Sequence, residues 1–302
     1  MIGRVATFSQ INYLMTLNMS TQTSLNAVEN QESSGLKAQT YGTLSGDVSK
    51  VLNIDNQISR LTTDGNNATE ALSSMQESYS VLGSVTDLAS TMLSDLSSYM
   101  SGTGTDSSTV SASAQSWLSQ LTNLMNTQYA GSYLFGGQST DTAPVDTSSS
   151  SYSPTTDPTA SDTGYYQGSS DGTTYTGSDG FSVSTSVQAS DPGFEKLFRA
   201  LSLIVASPSS SSTLSQAYSL IQTGESEVSN SQTQLAGASS ALTNYQTDAS
   251  TKVSTLSTLA SSLKDADLSA ATVTVTNYQN QLEASYSAIS KLLSVNLSKY
   301  LT

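Results

Sequence analysis

From Leu44 onward, apolar residues recur at alternating steps of three and four as far as Met100. The series runs through Val51, Ile54, Ile58, Leu61, Ala68, Leu72, Met75, Tyr79, Leu82, Ala89, Leu93 and Leu96, and only Asp47, Gly65 and Thr86 interrupt it. Sustained spacing of this kind keeps one apolar seam turned toward a partner helix, which is the coiled-coil condition. The run predicts a helical rod far longer than the roughly 8–20 residues of an ordinary globular helix. Gly65, between Asp64 and Asn66, is the expected place for a local break.

A second run begins at Leu214. Every seventh residue from there is apolar: Leu214, Ile221, Val228, Leu235, Leu242, Ala249, Leu256 and Leu263. Small residues such as Ala217, Gly224, Ser231 and Ala238 between them predict close helix packing. A third run steps by four and three through Leu282, Tyr286, Ile289, Leu293, Asn296 and Tyr300, and the N-terminal segment answers it loosely with Ile11, Leu14, Leu25 and Val28. Two shorter amphipathic helices are predicted. One spans about Val110 to Tyr129, with Trp117, Leu118, Leu121, Leu124 and Met125 inward. The other starts at Phe194 and stops before Pro208.

Residues 140–192 read differently. Pro144, Pro154, Pro158 and Pro192 fall here among dense Ser, Thr, Asp and Gly, and short alternating stretches such as TTYTG and GFSVSTSV are separated by SDG turn signals. This predicts a small β insertion with a flexible lead-in, interrupting a helical bundle. GSYLFGGQSTDTAPV (131–145) is the exit from the rod: Ala130 and Gly131 end the helix, SYLF pairs as a strand, and Gly136–Gly137 turns the backbone. The fold class is therefore mainly α with a small β insertion, built on long helices from both halves of the chain.

Composition narrows the function. The chain has no histidine and no cysteine, which removes disulfides, thiolate metal sites and the commonest general base. With a net charge of −14 and scattered basic residues, phosphate neutralisation on nucleic acid is not expected. The first twenty residues lack the pattern of a cleaved secretory signal. No window of about 18 apolar residues exists, so no membrane helix is expected. Asp171–Gly172 and Asp179–Gly180 are too thinly spaced for a calcium loop and read as turns. Asp265 and Asp267 precede a helix, where acids favour the N-terminal dipole rather than catalysis. Trp117 reads as core, and Tyr133 with Phe135 as a cap on the end of the rod's core. The dense Ser and Thr of the insertion fit glycan acceptors or a solvated surface equally. No nucleophile–base pair, phosphate loop or metal cluster is present in the pattern, so an enzyme, a metal and a cofactor are not expected.

Several stretches carry a resemblance. ESSGLKAQT (32–40), GSYLFGGQSTDTAPV, GYYQGSSDG, DPGFEKLFRAL and the C-terminal DADLSAATVTVTNYQNQLEASYSAISKLLSVNLSKYL occur in an order that, with the heptads, resembles the bacterial flagellin family. Within that family they are most like the branch of hook-associated protein 3, found at the hook–filament junction. One departure is that YGTLSGDVSK supplies a single acid, Asp47, where members carry an acidic pair. That puts in doubt any contact made by the second acid.

The resemblance implies a layout. Residues 1–42 and 270–302 would form a terminal coiled coil, 43–139 and 193–269 the two halves of a helical rod, and 140–192 an outer β-rich domain. It implies self-association and contact with other flagellar subunits, a hook-associated protein and flagellin among them. It also implies unfolded export through the flagellar type III route with an export chaperone, and location on the flagellum outside the cell. Neither terminal segment can bury its stripe alone, so Ile11, Leu14, Leu25 and Val28, with Leu282, Ile289, Leu293 and Leu297, are the expected assembly residues. The alternatives are a filament flagellin of the same family and, from another class, a secreted coiled-coil effector or adhesin stalk.

Overall fold

A computed structural model describes the backbone of residues 2–41, 44, 46–102, 106–149 and 152–298, and the side chains from Ser9 to Ser294 within them. The elements are α1 (Ile2–Ser34), α2 (Val48–Ser101), α3 (Ser107–Met125), β1 (Gln128–Tyr129), β2 (Ser132–Tyr133), β3 (Thr174–Thr176), β4 (Ser182–Ser184), α4 (Pro192–Ala206), α5 (Ser211–Lys264) and α6 (Leu268–Ser298). They gather into two compact units. The first comprises Met1–Ser59 with Lys252–Thr302, and the second Arg60–Thr251.

These helices are rich in Ser and Thr, which ordinarily compete with helical backbone bonds. Here many of the hydroxyls donate back to the carbonyl four residues earlier. Examples are Thr23 to Met19 at 2.9 Å, Thr247 to Thr243 at 3.0 Å and Thr274 to Ala270 at 2.7 Å. The side chains are satisfied locally without breaking the ladder.

In the first unit α1 and α6 pair antiparallel. Thr272 Oγ1 donates to Glu32 Oε1 at 2.7 Å, and Leu25 packs with Val275 and Leu282 further along. Gly35, at φ +72°, ends α1 in the left-handed conformation that glycine adopts without strain. Asp267 caps α6, its Oδ1 accepting from Ala270 N at 3.0 Å.

In the second unit α2 and α5 run antiparallel. Gln246 Nε2 donates to Thr69 Oγ1 at 2.7 Å, Gln232 Nε2 to the Tyr79 carbonyl at 3.2 Å, and Ser90 Oγ to Glu225 Oε1 at 2.7 Å. α3 adds Val110, Ala114, Trp117, Leu121 and Met125 to their core. α4 is buried on nearly every side. It approaches α5 closely because both contact points are glycines: a Cβ on Gly224 would lie 2.9 Å from the Gly193 carbonyl oxygen.

The seven-residue run of α5 holds from Leu214 to Ala249, all six positions being buried. The α2 run drifts. Tyr79 and Met100 are exposed, while Val81, Val85, Leu88 and Met92, off the strict seam, are buried. A straight helix repeats at 3.6 rather than 3.5 residues per turn, and α2 here packs into a broad core rather than against one partner. Two further expectations are corrected. α2 passes through Gly65 without a break. α3 ends at Met125, not at Ala130–Gly131, because Asn126 leaves the helix to clamp Val145: its Nδ2 donates to the Val145 carbonyl at 2.8 Å and its Oδ1 accepts from Val145 N at 2.9 Å.

Among its described residues the insertion contains a single short hairpin, with Thr174 opposite Ser184 and Thr176 opposite Ser182. The rest is turns. The lead-in is tied down rather than loose: Asp146, Asp157 and Asp162 each accept a backbone N–H two residues on. The buried Glu195–Arg199 pair of α4, 3.1 Å apart, reaches it as well. Glu195 Oε1 accepts from Asp162 N at 2.8 Å, and Arg199 Nη1 donates to the Pro158 carbonyl at 3.1 Å.

Candidate assembly surface

The root of the terminal pair is built by the stretch after α1. Leu36 bridges to Asp265, Lys37 N donates to the Lys264 carbonyl at 2.7 Å, and Ala266 N donates to the Gly35 carbonyl at 2.8 Å. The Lys37 ammonium donates to the Ser262 carbonyl at 2.8 Å, closing the C-terminal end of α5 where the helix dipole favours a cation. Beside it Asp55 takes Tyr41 OH at 2.8 Å and Lys264 Nζ at 3.1 Å. Burial pushes the Asp55 carboxyl up, but these donors outweigh it and hold it below the usual carboxylate range. The same bond to Asp55 raises the Tyr41 phenol.

Four of the eight residues expected at the assembly surface are buried within the chain. Leu25 and Leu282 share a cluster with Val275, and Val28 packs against it. Ile11 and Ile289 are also buried. Leu14 and Val28 are half-buried, Leu293 is 51% exposed, and Leu297 lies outside the residues whose side chains are described. The C-terminal seam runs through Val275, Tyr278, Leu282, Ser285 and Ile289, which places Tyr286 and Leu293 on its flank. Asn296 and Tyr300, also in the sequence run, lie outside the described residues in the same sense.

The outward flanks are apolar to an unusual degree. On α1, Tyr13 is 70% and Met19 73% exposed, with Met15 and Leu17 also in the open. On α6, Tyr286 is 55% exposed, and Val273 joins it. Single exposed apolar residues are ordinary, whereas a set of them on two paired helices makes this face a candidate interaction surface. The sequence pattern pointed to the inner stripe. Of the outer stripe it reached Tyr286 and Leu293 on α6, but not Tyr13, Met15, Leu17 and Met19 on α1, which share no single period with the seam.

In the second unit the exit segment is a locked corner. β1 and β2 pair through a two-residue turn in which Ala130 (φ +50°) and Gly131 (φ +84°) both adopt positive φ, as the twist-matched hairpin turn requires. Phe135 is fully buried, 6.3 Å from Phe194, and its carbonyl accepts from Ala189 N at 3.0 Å. Tyr133 is half-buried in an open groove of ≈ 620 Å³ with Asn67, Glu70 and Tyr129.

Asp64 is an anchoring residue of the fold that sequence reasoning passed over. Its Oδ2 accepts from Ser178 N at 3.0 Å, from the Ser178 hydroxyl, and from Tyr245 OH at 3.1 Å; its carbonyl accepts from Tyr175 OH at 2.8 Å. Burial raises this carboxyl, yet the Ser178 and Tyr245 donors and the Arg60 charge bring it below the usual range. Burial and the facing carboxylate push the Tyr245 phenol up. One buried acid thus ties the β3–β4 hairpin to two rod helices. The only signal in the sequence was an acid beside an otherwise apolar seam.

Residues 5–140 match the family model of the bacterial flagellin N-terminal helical region. Among curated proteins, none matches. A solved structure from Vibrio parahaemolyticus, described as a flagellar hook-associated protein, is 18% identical with a TM-score of 0.59, covering 72% of this chain and 97% of that one. The crystal structure of Bacillus cereus FlgL is 16% identical with a TM-score of 0.46, covering 69% of this chain and 98% of that one. The first of these shares the long-helix architecture described above. Over residues 5–140 the chain is thus similar to the N-terminal helical region of bacterial flagellins.

Proposed function

We propose that this chain is a structural subunit of the bacterial flagellum, assembling through the outer flanks of its paired terminal helices at the hook–filament junction. The observation that carries the assembly step is the coincidence of a closed inner seam, centred on Leu25 and Leu282, with open apolar flanks carrying Tyr13, Met19, Tyr286 and Leu293. The seam residues make the pair, and the flank residues are what a neighbouring copy would cover. Each Leu or Met so covered contributes roughly 1.5–3 kcal/mol before ordering entropy is subtracted. Contacts of this kind between different faces of identical copies build helical polymers where the rotation between copies does not close a ring.

The likeness to a flagellar hook-associated protein and the resemblance of the exit segment 131–145 support the junction position in this reading. The layout carried over is a terminal core (1–42 and 270–302), a rod (43–139 and 193–269) and an outward insertion (140–192). Before assembly the apolar flanks need cover, which is the role of an export chaperone. The partners are other copies, a hook-associated protein and flagellin, and the role is mechanical rather than enzymatic.

The test is electron microscopy of cells lacking this chain, with analysis of the medium. Hooks without filaments, and unpolymerised flagellin in the medium, are expected. Partial or intact filaments built from other subunits would instead make it a filament flagellin. Unchanged hooks, filaments and swimming would overturn the flagellar reading.

A further inference from the structure

The inward positions of α1 step by three and four through Ile11, Leu14, Asn18, Thr21, Leu25 and Val28. The outer members are apolar. The middle two, Asn18 and Thr21, are polar and buried. Thr21 disposes of its hydroxyl locally, donating to the Leu17 carbonyl at 3.0 Å. Asn18 does not: its Nδ2 is enclosed and has no hydrogen-bond partner. A buried donor left unpaired loses its hydration without replacement.

The antiparallel register locates what faces it. Two heptads back from Glu32 is Asn18, and two heptads on from Thr272, the partner of Glu32, is Tyr286. The α6 seam at that level runs Leu282, Ser285, Ile289, so the facing stripe also has a small polar member, half-buried Ser285. The seam therefore has a polar gap between two apolar stretches. At the same level the outside of the pair is at its most apolar, with Tyr13, Leu17, Met19 and Tyr286 exposed.

We infer that Asn18 is a weak joint, holding this half of the α1–α6 pair below the stability its apolar stretches would give and leaving it open to exchange with the helices of a second copy. A polar residue at one seam position is a known way of lowering stability in return for specified pairing. The second copy is the fitting occupant because the exposed flanks at this level are chemically the same as the seam they would replace. The exchange rests on the assembly reading above. The weakening of the pair does not.

The test uses the full-length chain with Asn18→Leu and Asn18→Ala, and with Ser20→Ala on the exposed face of α1 to measure the effect of helix propensity alone. Hydrogen exchange at low concentration reads the pair. Protection of α1 and α6 amides around the joint is expected to rise roughly ten- to hundredfold in Asn18→Leu, and to rise more in Asn18→Ala than in Ser20→Ala, with the Arg60–Thr251 unit unchanged. Self-association, followed by light scattering, is expected to slow by a similar factor. Protection unchanged or lowered in both Asn18 variants would overturn the weak joint. Protection raised with association at the wild-type rate would overturn the exchange. A wild-type chain that stays monomeric at every concentration would overturn the assembly reading and the exchange with it, while the protection arm still decides whether Asn18 weakens the pair.

Discussion

Asp64 shows how one side chain can hold a fold together from an unpromising position. It sits on a helix beside Gly65, where the sequence suggests a break, and it instead receives the Ser178 turn and the Tyr245 hydroxyl. Replacing it with Ala strands those donors, and thermal unfolding should show a loss of about 1–3 kcal/mol. The pH dependence has a definite sign. A carboxyl held below its ordinary range stabilises at every pH above that range, and the contribution disappears as pH falls through the depressed value. The gap in unfolding temperature between wild type and Asp64→Asn should therefore be flat from neutrality down to the ordinary carboxylate range and close only below it. A gap that widened on acidification would contradict this assignment. Gly137 is the second residue of this kind. Its φ is +62°, and a Cβ there would lie 2.6 Å from the Asp171 carbonyl oxygen. Gly137→Ala should thus cost about 1–3 kcal/mol.

Among the elements, α5 was the most legible in the sequence, because its seven-residue repeat and its buried stripe coincide from Leu214 to Ala249. α2 was legible as a long helix but not as a set of contacts, since packing in a broad core follows 3.6 residues per turn and recruits Val81, Val85 and Met92 from outside the heptad. The end of α3 was misplaced because Asn126 makes its decisive bonds to Val145, a partner that local pattern cannot reveal. The insertion's few strands were anticipated. Its anchoring by Glu195 and Arg199 was not, since an i, i+4 pair looks the same on a solvated face. Small residues on α5 were read as close-packing points, and the glycines make that testable. Gly224→Ala should destabilise by about 1–3 kcal/mol through collision with Gly193 and Leu197. Gly237→Ala, in the same helix with open space at its Cβ, should stabilise by about 1 kcal/mol. Equal effects of the two, measured by denaturant unfolding, would show that propensity and not contact governs α5.

The whole molecule divides its apolar surface unevenly. The Arg60–Thr251 unit encloses a large continuous core, whereas the unit holding the chain ends has a small cluster around Leu25, Val275 and Leu282 and leaves long apolar flanks in the open. Little burial and an interrupted seam make the terminal pair the part that opens first, so its amides should exchange well before those of the larger unit. The candidate surface was half legible. Period three-four spacing found the seam, Ile11, Leu25, Leu282 and Ile289, but only the three-dimensional pairing separated it from the flank. Assembly through the flanks is tested most directly by sedimentation velocity on the purified chain carrying Leu17→Asp and Leu293→Asp, two flank residues outside the seam. The double variant is expected to keep its helical content and stay monomeric at concentrations where the wild type forms polymers. Polymers formed equally by both would contradict it and return the assembly surface to some other face of the molecule.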